Sequence, residues 1–356
     1  MKQDALVWKD APAARFPDFS VAPLTDKERK EKIRELHKQK PVYNGIILIF
    51  FAIWAAAGWL ILQMPNVWLK LPGYFLIGVV LHSLAILMHE GLHGKLFKEK
   101  KLNRWIGFFC GAPALVGLSA YKSVHLYHHR HERGIEDPDE FENLTRQPPL
   151  LKTFLLVWFF VGAYLYIIHI PATGLKLGSR LERKKIVEEY VLLIGLIVLA
   201  FLVVPFDILA QVWLLPILFT AQLSQVRGLA EHVFTAGDEP LRATRTVHSS
   251  ALVRFFMCNM NYHLEHHIYP GVPWYNSRRL HFLLADDIRK AGGSIYSSYL
   301  VYLWDVGKAL FSKVTNPYAQ TGPPAGYYPH YMPVLTGSGA PINTAASSKS
   351  NQTTGR

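Results

Sequence analysis

Cysteine is nearly absent. Cys110 and Cys258 are the two in 356 residues, which excludes a disulfide framework and suits a reducing, cytosol-facing compartment. Charge is scarce too: Asp, Glu, Lys and Arg make up 18% of the chain against 50% hydrophobic residues. The apolar residues gather in runs roughly 16–22 long, so the composition points to a membrane. Acidic residues run short in particular, 26 against 38 Lys and Arg, leaving a net charge of +12. Those basic residues flank apolar segments and do not alternate with an aromatic stacking platform. They read as cytoplasm-facing loops, and a nucleic-acid partner is not expected. No apolar h-region opens the chain, so a cleaved signal peptide is not expected, and there is no solenoid-type repeat.

Along the chain, 1–44 is expected to be a polar, cytoplasmic N-terminal segment whose 27–40 stretch is helix-prone and basic. The run 45–62 is long enough to span. A link with Pro65 and Trp68 suits the far interface, and 71–88 returns to deliver His89, Glu90 and His93 to the cytoplasmic side. The run 105–120 is short and broken by Gly107, Gly111, Pro113 and Gly117. A full span there would separate His125 from His89, so it reads as interfacial or re-entrant. The run 150–170 is long enough to cross, but Lys176, Arg180, Arg183, Lys184 and Lys185 mark its far end as cytoplasmic, and it reads as an interfacial helix. The runs 186–204 and 208–223 form a hairpin about Pro205, Phe206 and Asp207 that returns Glu231 and His232 to the cytoplasmic face. The expectation is an all-α integral membrane protein: four transmembrane helices, a cytoplasmic histidine-rich helical cap and interfacial helices, together covering 45–312. Within it 285–310 reads as helical, and the Pro-, Gly-, Ser- and Thr-rich tail 313–356 as disordered.

Histidines carry the chemistry. Three of them, His263, His266 and His267, stand in an HxxHH pattern that places all three on one helix face. His125, His128 and His129 repeat it, and His89 and His93 in HEGLH sit at i, i+4. Burying eight imidazoles beside a bilayer without partners costs several kcal/mol in sum, and a metal removes that cost. Neutral imidazole suits Zn, Cu, Fe and Ni, and eight ligands exceed what one ion uses, so two metals are implied. HEGLH also satisfies HExxH, in which Glu90 would be the general base of a zinc protease. That reading leaves both HxxHH clusters without a role. A metal transporter would place its ligands midway along the spans, whereas these lie beyond the helix ends. His37, His169, His281 and His330 have no partner at ligand spacing and read as ordinary hydrogen-bonded residues.

The order HEGLH, HLYHH, HLEHH resembles the membrane fatty-acid desaturase/hydroxylase superfamily, whose pattern is HxxxH, HxxHH, HxxHH. Asp137-Pro138 after the second box resembles that family's DP element, and HLEHHIYPGVP its third-box run. The resemblance spans about 45–290. It implies two non-haem irons with O₂ as co-substrate and a ninth histidine ligand after the last span, for which His232 in GLAEH stands in place. The ligand set is then His89, His93, His125, His128, His129, His232, His263, His266 and His267. His248 is a weaker ligand candidate, and His82 reads as a residue behind the ligands or along the substrate channel. Some members carry an asparagine one turn before the ninth histidine; Gly228 stands there, and Asn261 is the candidate substitute. Front-end desaturases begin the third box with Gln, and His263 sets this chain apart from them.

Glu90, Asp137, Glu231 and Glu265 lie in or beside the boxes and are candidates to orient the ligand rings. The implied activity is O₂-dependent desaturation of a fatty acyl lipid, or hydroxylation or ketolation of an alkane, carotenoid or other lipid on the same site. Lys122, Arg130 and Arg227 are candidates to neutralise a head group or to meet membrane phosphates. No HPGG haem motif, GxGxxG or CxxC cluster is present. Electrons are therefore expected from a separate ferredoxin or cytochrome b5 with its reductase, drawn to the basic face. The expected location is a bacterial inner membrane or the endoplasmic reticulum, with both termini and the site cytoplasmic.

Overall fold

The computed structural model describes residues 25–132, 136–139, 148–233, 235 and 240–311. His330 and the tail 313–356 lie outside the described residues, as does most of the segment before α1 (Asp26–Leu36). Two long helices follow, α2 (Ile46–Gln63) and α3 (Val67–Leu92), then the shorter α4 (Lys100–Gly111) and α5 (Leu118–His131). Next come α6 (Pro148–Leu177) and α7 (Arg180–Val203). Counted here as one interrupted helix, α8 runs from Phe206 to His232. The C-terminal region holds α9 (Ala251–Phe256), α10 (His263–Ile268), α11 (Ser277–Ala291) and α12 (Tyr299–Phe311). The fold is mostly helical, and among the described residues five helices are long and apolar enough to cross a membrane: Pro41–Gln63, Val67–Leu92, Thr153–Leu177, Arg180–Val203 and Phe206–His232.

Two local findings depart from the sequence expectation. A two-stranded parallel sheet pairs β1 (Arg245–Val247) with β2 (Ser294–Tyr296). The stretch 285–310 is therefore not one helix. Gly292, in the left-handed region at φ 74°, ends α11 and lets the chain turn into β2 before α12 begins. A glycine at that C-terminal position is the usual device for stopping a helix.

Inside the membrane portion, α3 is the hub. Thr220 on α8 donates to the Gly78 carbonyl at 3.0 Å. A Cβ on Gly78 would lie 2.5 Å from Cβ of Phe219, so only glycine permits this approach of α3 and α8. A π turn at Ala210–Leu214 interrupts α8 just before Pro216. Pro216 has no N–H to offer the Val212 carbonyl one turn back, and the Trp54 indole N–H from α2 donates to that carbonyl at 2.7 Å.

Glu189 fixes the helix that carries the second histidine box. Although it sits on α7, it is 0% exposed. Its carboxylate accepts from the Ser119 N–H at 2.7 Å and the Ser119 hydroxyl at 2.6 Å, in the first turn of α5. It also meets the Arg104 guanidinium of α4 at 2.8 Å. A carboxylate at a helix N-terminus is favoured by the orphan N–H groups and the helix dipole. Arg104 also reaches the more exposed Glu188 at 3.0 Å. Glu189→Ala removes the buried carboxylate that Arg104 and the Ser119 N–H and hydroxyl share, and should lower stability by about 3 kcal/mol. Glu188→Ala should cost less than about 1 kcal/mol. Unfolding midpoints in detergent check the contrast, and equal losses would contradict it.

Candidate metal centre

The histidines that the sequence singles out arrive at one place from four elements. His89 ends the last turn of α3, and His93 is its C-cap. His125, His128 and His129 lie on α5, His232 closes α8, and His263, His266 and His267 lie on α10. They sort into two nitrogen clusters. His89, His93, His125, His129 and His266 each bring a ring nitrogen within 4.8 Å of the other four. His128, His232 and His267 form a second group with Glu132, and His263 joins His232 and Glu231 in a group that shares it. The rings of His129 and His267 stack at 4.2 Å, so the two clusters touch.

The short contacts inside each cluster are not ordinary hydrogen bonds. Nε2 of His125 lies 2.9 Å from Nε2 of both His89 and His129. Nε2 of His263 stands the same way, 3.0 Å from His232 and 2.9 Å from His267. An imidazole nitrogen carries one proton or one lone pair, so it cannot satisfy two such partners at once. Nitrogens at about 2.1 Å from a cation, on neighbouring corners of an octahedron, lie about 3.0 Å apart. Nε2 of His93, His128 and His266 are buried with no hydrogen-bond partner among the described residues. Each such orphan costs on the order of 1–3 kcal/mol. The residues fit two metal ions, one per cluster.

Protonation suits that role. Burial, with neighbouring histidines adding to it, pushes His125, His129, His263 and His266 below the usual imidazole range. Burial likewise takes His93 down to about 3. Neutral rings are the ligand form. His128 goes the other way, to about 9: burial opposes its charged form, but the Asp137 carboxylate outweighs that.

Carboxylates stand beside three of the rings, and one of them is hydrogen-bonded. Both oxygens of Asp137, in the DP element, face His128 Nδ1 at 2.8 and 2.9 Å. Glu132 meets His267 Nδ1 at 2.9 Å, and Glu231 lies 3.4 Å from His263 Nδ1 while the Arg227 guanidinium holds it at 2.8 Å. A carboxylate on one ring nitrogen fixes the other as the ligand atom. Glu265 and Glu90 do other work. Glu265 accepts from the Thr246 hydroxyl and from His281 Nδ1, both at 2.5 Å, and so ties α10 to β1 and α11. Glu90 accepts from the Trp274 N–H at 2.9 Å, bracing the first box against the loop after the third. Asn261 donates to the Val247 carbonyl at 2.9 Å.

Some of this was not legible in the spacing. His248 pairs with His281 at 3.1 Å and stands outside both clusters. His281 does have partners, but they come from two other segments, His248 after β1 and Glu265 on α10. The one available signal was its place on the buried stripe of α11 with Leu280, Leu284 and Ile288, where a polar side chain needs a bond. Arg245, 1% exposed, donates to the Ala230 and Val233 carbonyls at the end of α8, under the Tyr296 and Tyr302 rings. It clamps the helix that presents His232 to β1. His82 is buried on α3 outside the clusters, His37 bonds the Ile33 carbonyl at 2.8 Å, and His169 faces Thr173 at 3.4 Å.

Both clusters open on a cavity of about 240 Å³ between α3, α5, α6 and α8, lined by His89 and His125 of one and by His128, His232 and His263 of the other. Its walls are aliphatic and aromatic, with Arg227 and Tyr121 among the polar groups. Lys122 and Arg130 are not part of its lining.

Comparison with known proteins gives a consistent result. The profile described as fatty acid desaturase matches residues 65–299. The sphingolipid delta(4)-desaturase/C4-monooxygenase of Homo sapiens is 25% identical over 305 residues, 81% of this chain and 86% of that protein. Its Rattus norvegicus counterpart is 28% identical over 277 residues, 72% and 79% of the two chains. The sphingolipid delta(4)-desaturase of Drosophila melanogaster is 27% identical over 265 residues, 69% and 75%.

Removing the carboxylate charge from His128 tests the cluster directly. Asp137→Asn should weaken metal binding 10- to 100-fold, read as bound metal against free metal concentration, with helical content by circular dichroism unchanged. Unaltered affinity would mean that His128 is not a ligand.

Proposed function

Because this chain belongs to the fatty acid desaturase family, we propose that its two nitrogen clusters hold the two irons on which that family generally depends. The chain is an oxygen-dependent, desaturase-type oxidoreductase of lipids. The proposed ligands are His89, His93, His125, His129 and His266 for one iron and His128, His232, His263 and His267 for the other. One observation carries this assignment: nine histidines from four elements form one five-histidine group and, beside it, two groups that share His232, and both sides open on one cavity. When bound, the irons supply, with O₂, the oxidising power to remove hydrogen from an unactivated methylene.

The protein's share is placement. Asp137 holds His128 by hydrogen bonds, Glu132 and Glu231 place charge beside His267 and His263, and Arg227 holds Glu231. The narrow apolar cavity keeps an aliphatic chain beside both clusters and water away from it. Removal of a second hydrogen gives an alkene, and return of oxygen gives an alcohol. The human relative's name carries both outcomes, desaturase and C4-monooxygenase. For this chain we propose desaturation as the main reaction and hydroxylation as the alternative. Electrons are proposed to come from a separate ferredoxin or cytochrome b5, received at a basic face that includes exposed Lys98, Lys100 and Lys101 beside the first box.

Four spans with a cytoplasmic cap remain the proposed topology, and chain parity supports it. His93 follows α3, α5 carries the second box, and His232 ends α8, all at one site. If α7 and α8 form a hairpin ending at that site, α7 begins on the site's side, two residues after α6 ends. Since α6 also starts from the site's side after α5, it begins and ends on one face and lies in the interface. We further propose 1–44 as a cytoplasmic segment, 45–312 as the membrane domain and 313–356 as a tail.

Two experiments test these points. Lipid profiling by mass spectrometry of cells with and without the protein should reveal a lipid 2 Da lighter, carrying a new double bond. A lipid 16 Da heavier would favour the hydroxylase, and an unchanged lipid pool would count against both. For topology, an impermeant maleimide should label Lys98→Cys and Arg180→Cys from one face of sealed vesicles and Asp207→Cys from the other. Opposite labelling of the first two would make α6 a fifth span.

A further inference from the structure

The two proposed ion sites are unequally supplied. Five imidazoles serve the first, from His89, His93, His125, His129 and His266, and four serve the second, from His128, His232, His263 and His267. Neutral imidazoles bring no charge against two buried cations, and uncompensated buried charge is costly. Helix spacing shows where a further donor stands. His89 with His93, His125 with His129, and His263 with His267 are i, i+4 pairs, each pair on one site. On α5, in HLYHHRHE, the residue at that spacing from His128 is Glu132.

Glu132 is the C-cap of α5, and its side chain is 16% exposed. One carboxylate oxygen lies within 4.8 Å of a ring nitrogen of His128, of His232 and of His267. Its Oε1 stands 2.9 Å from Nδ1 of His267, yet that nitrogen has no hydrogen-bond partner among the described residues. The oxygen therefore lies off the N–H direction. Asp137 and Glu231 are engaged otherwise: Asp137 turns both oxygens to His128 Nδ1, and Glu231 accepts from Arg227. A carboxylate at a helix C-terminus also meets orphan carbonyls and the negative end of the helix dipole, a place that favours a cation beside it.

Resting on the two-iron reading of the site, we propose that Glu132 is a carboxylate ligand of the second ion. Its set then becomes four imidazoles and one carboxylate, against five imidazoles at the first. α5 gives each ion one i, i+4 pair, His125 with His129 and His128 with Glu132. The two ions are thereby made unlike. An anionic oxygen donor is harder than imidazole and favours the more highly charged metal, so the second iron is the harder of the two to reduce.

The test uses the purified full-length protein loaded under argon with isotopically enriched ferrous iron, read by Mössbauer spectroscopy and by bound against free iron. The unaltered protein should show two quadrupole doublets of equal area. Glu132→Gln should shift one doublet, leave the other in place and weaken the corresponding iron at least tenfold, with helical content unchanged. Glu132→His, which restores a donor at the same spacing, should recover binding of that iron and bring the two doublets closer together. A carboxylate that only supports the fold or orients His267 would not be replaced by imidazole in this way. Both doublets unchanged in Glu132→Gln, or no recovery in Glu132→His, would overturn the ligand. Failure of the unaltered protein to take up two irons would contradict the iron assignment and this ligand with it. Desaturation is scored separately, by turnover. The predicted response at Glu132 without a new double bond would remove the desaturase reading and leave the ligand standing.

Discussion

Imidazole nitrogens that crowd together without enough protons to bond one another are the constraint on which this structure depends. His125 and His263 each face two other Nε2 atoms at about hydrogen-bond distance, and one proton or lone pair cannot serve both. Such an arrangement suits a shared cation. Every element near it is held so that the convergence survives: Glu189 caps α5, Arg245 clamps the end of α8 to β1, and Glu90 braces α3 against the loop that follows α10. These braces are buried polar contacts with bonded partners, as an apolar setting requires.

The three boxes were legible because a helix brings i, i+3 and i+4 to one face, so HxxHH states its own geometry. The assignment of each histidine to one cluster or the other was not legible. His128 and His129 are neighbours in sequence, yet they belong to different clusters, since consecutive side chains on α5 point about 100° apart. His266 and His267 divide in the same way on α10. The alternation would let α5 and α10 each contribute to both of the proposed ion sites.

Carboxylates were harder to read. Asp137 and Glu231 lie against His128 and His263, whereas Glu90 and Glu265, which lie inside the boxes, hold backbone and neighbouring elements. Glu132, which faces His267, and the pair His248–His281 drew no notice as orienting groups, because their partners come from distant segments and no local spacing records them. In the membrane portion, hydropathy located every long helix. It could not tell whether α6 crosses, since an apolar helix lying in the interface and one spanning it have the same composition.

The central claim is two ions in two histidine clusters. Metal analysis of the purified protein by plasma mass spectrometry, paired with X-ray absorption at the iron edge, addresses it most directly. The account predicts about two irons per chain, each bound mainly by imidazole nitrogen. A single zinc per chain, or iron bound by oxygen and sulfur ligands, would contradict it.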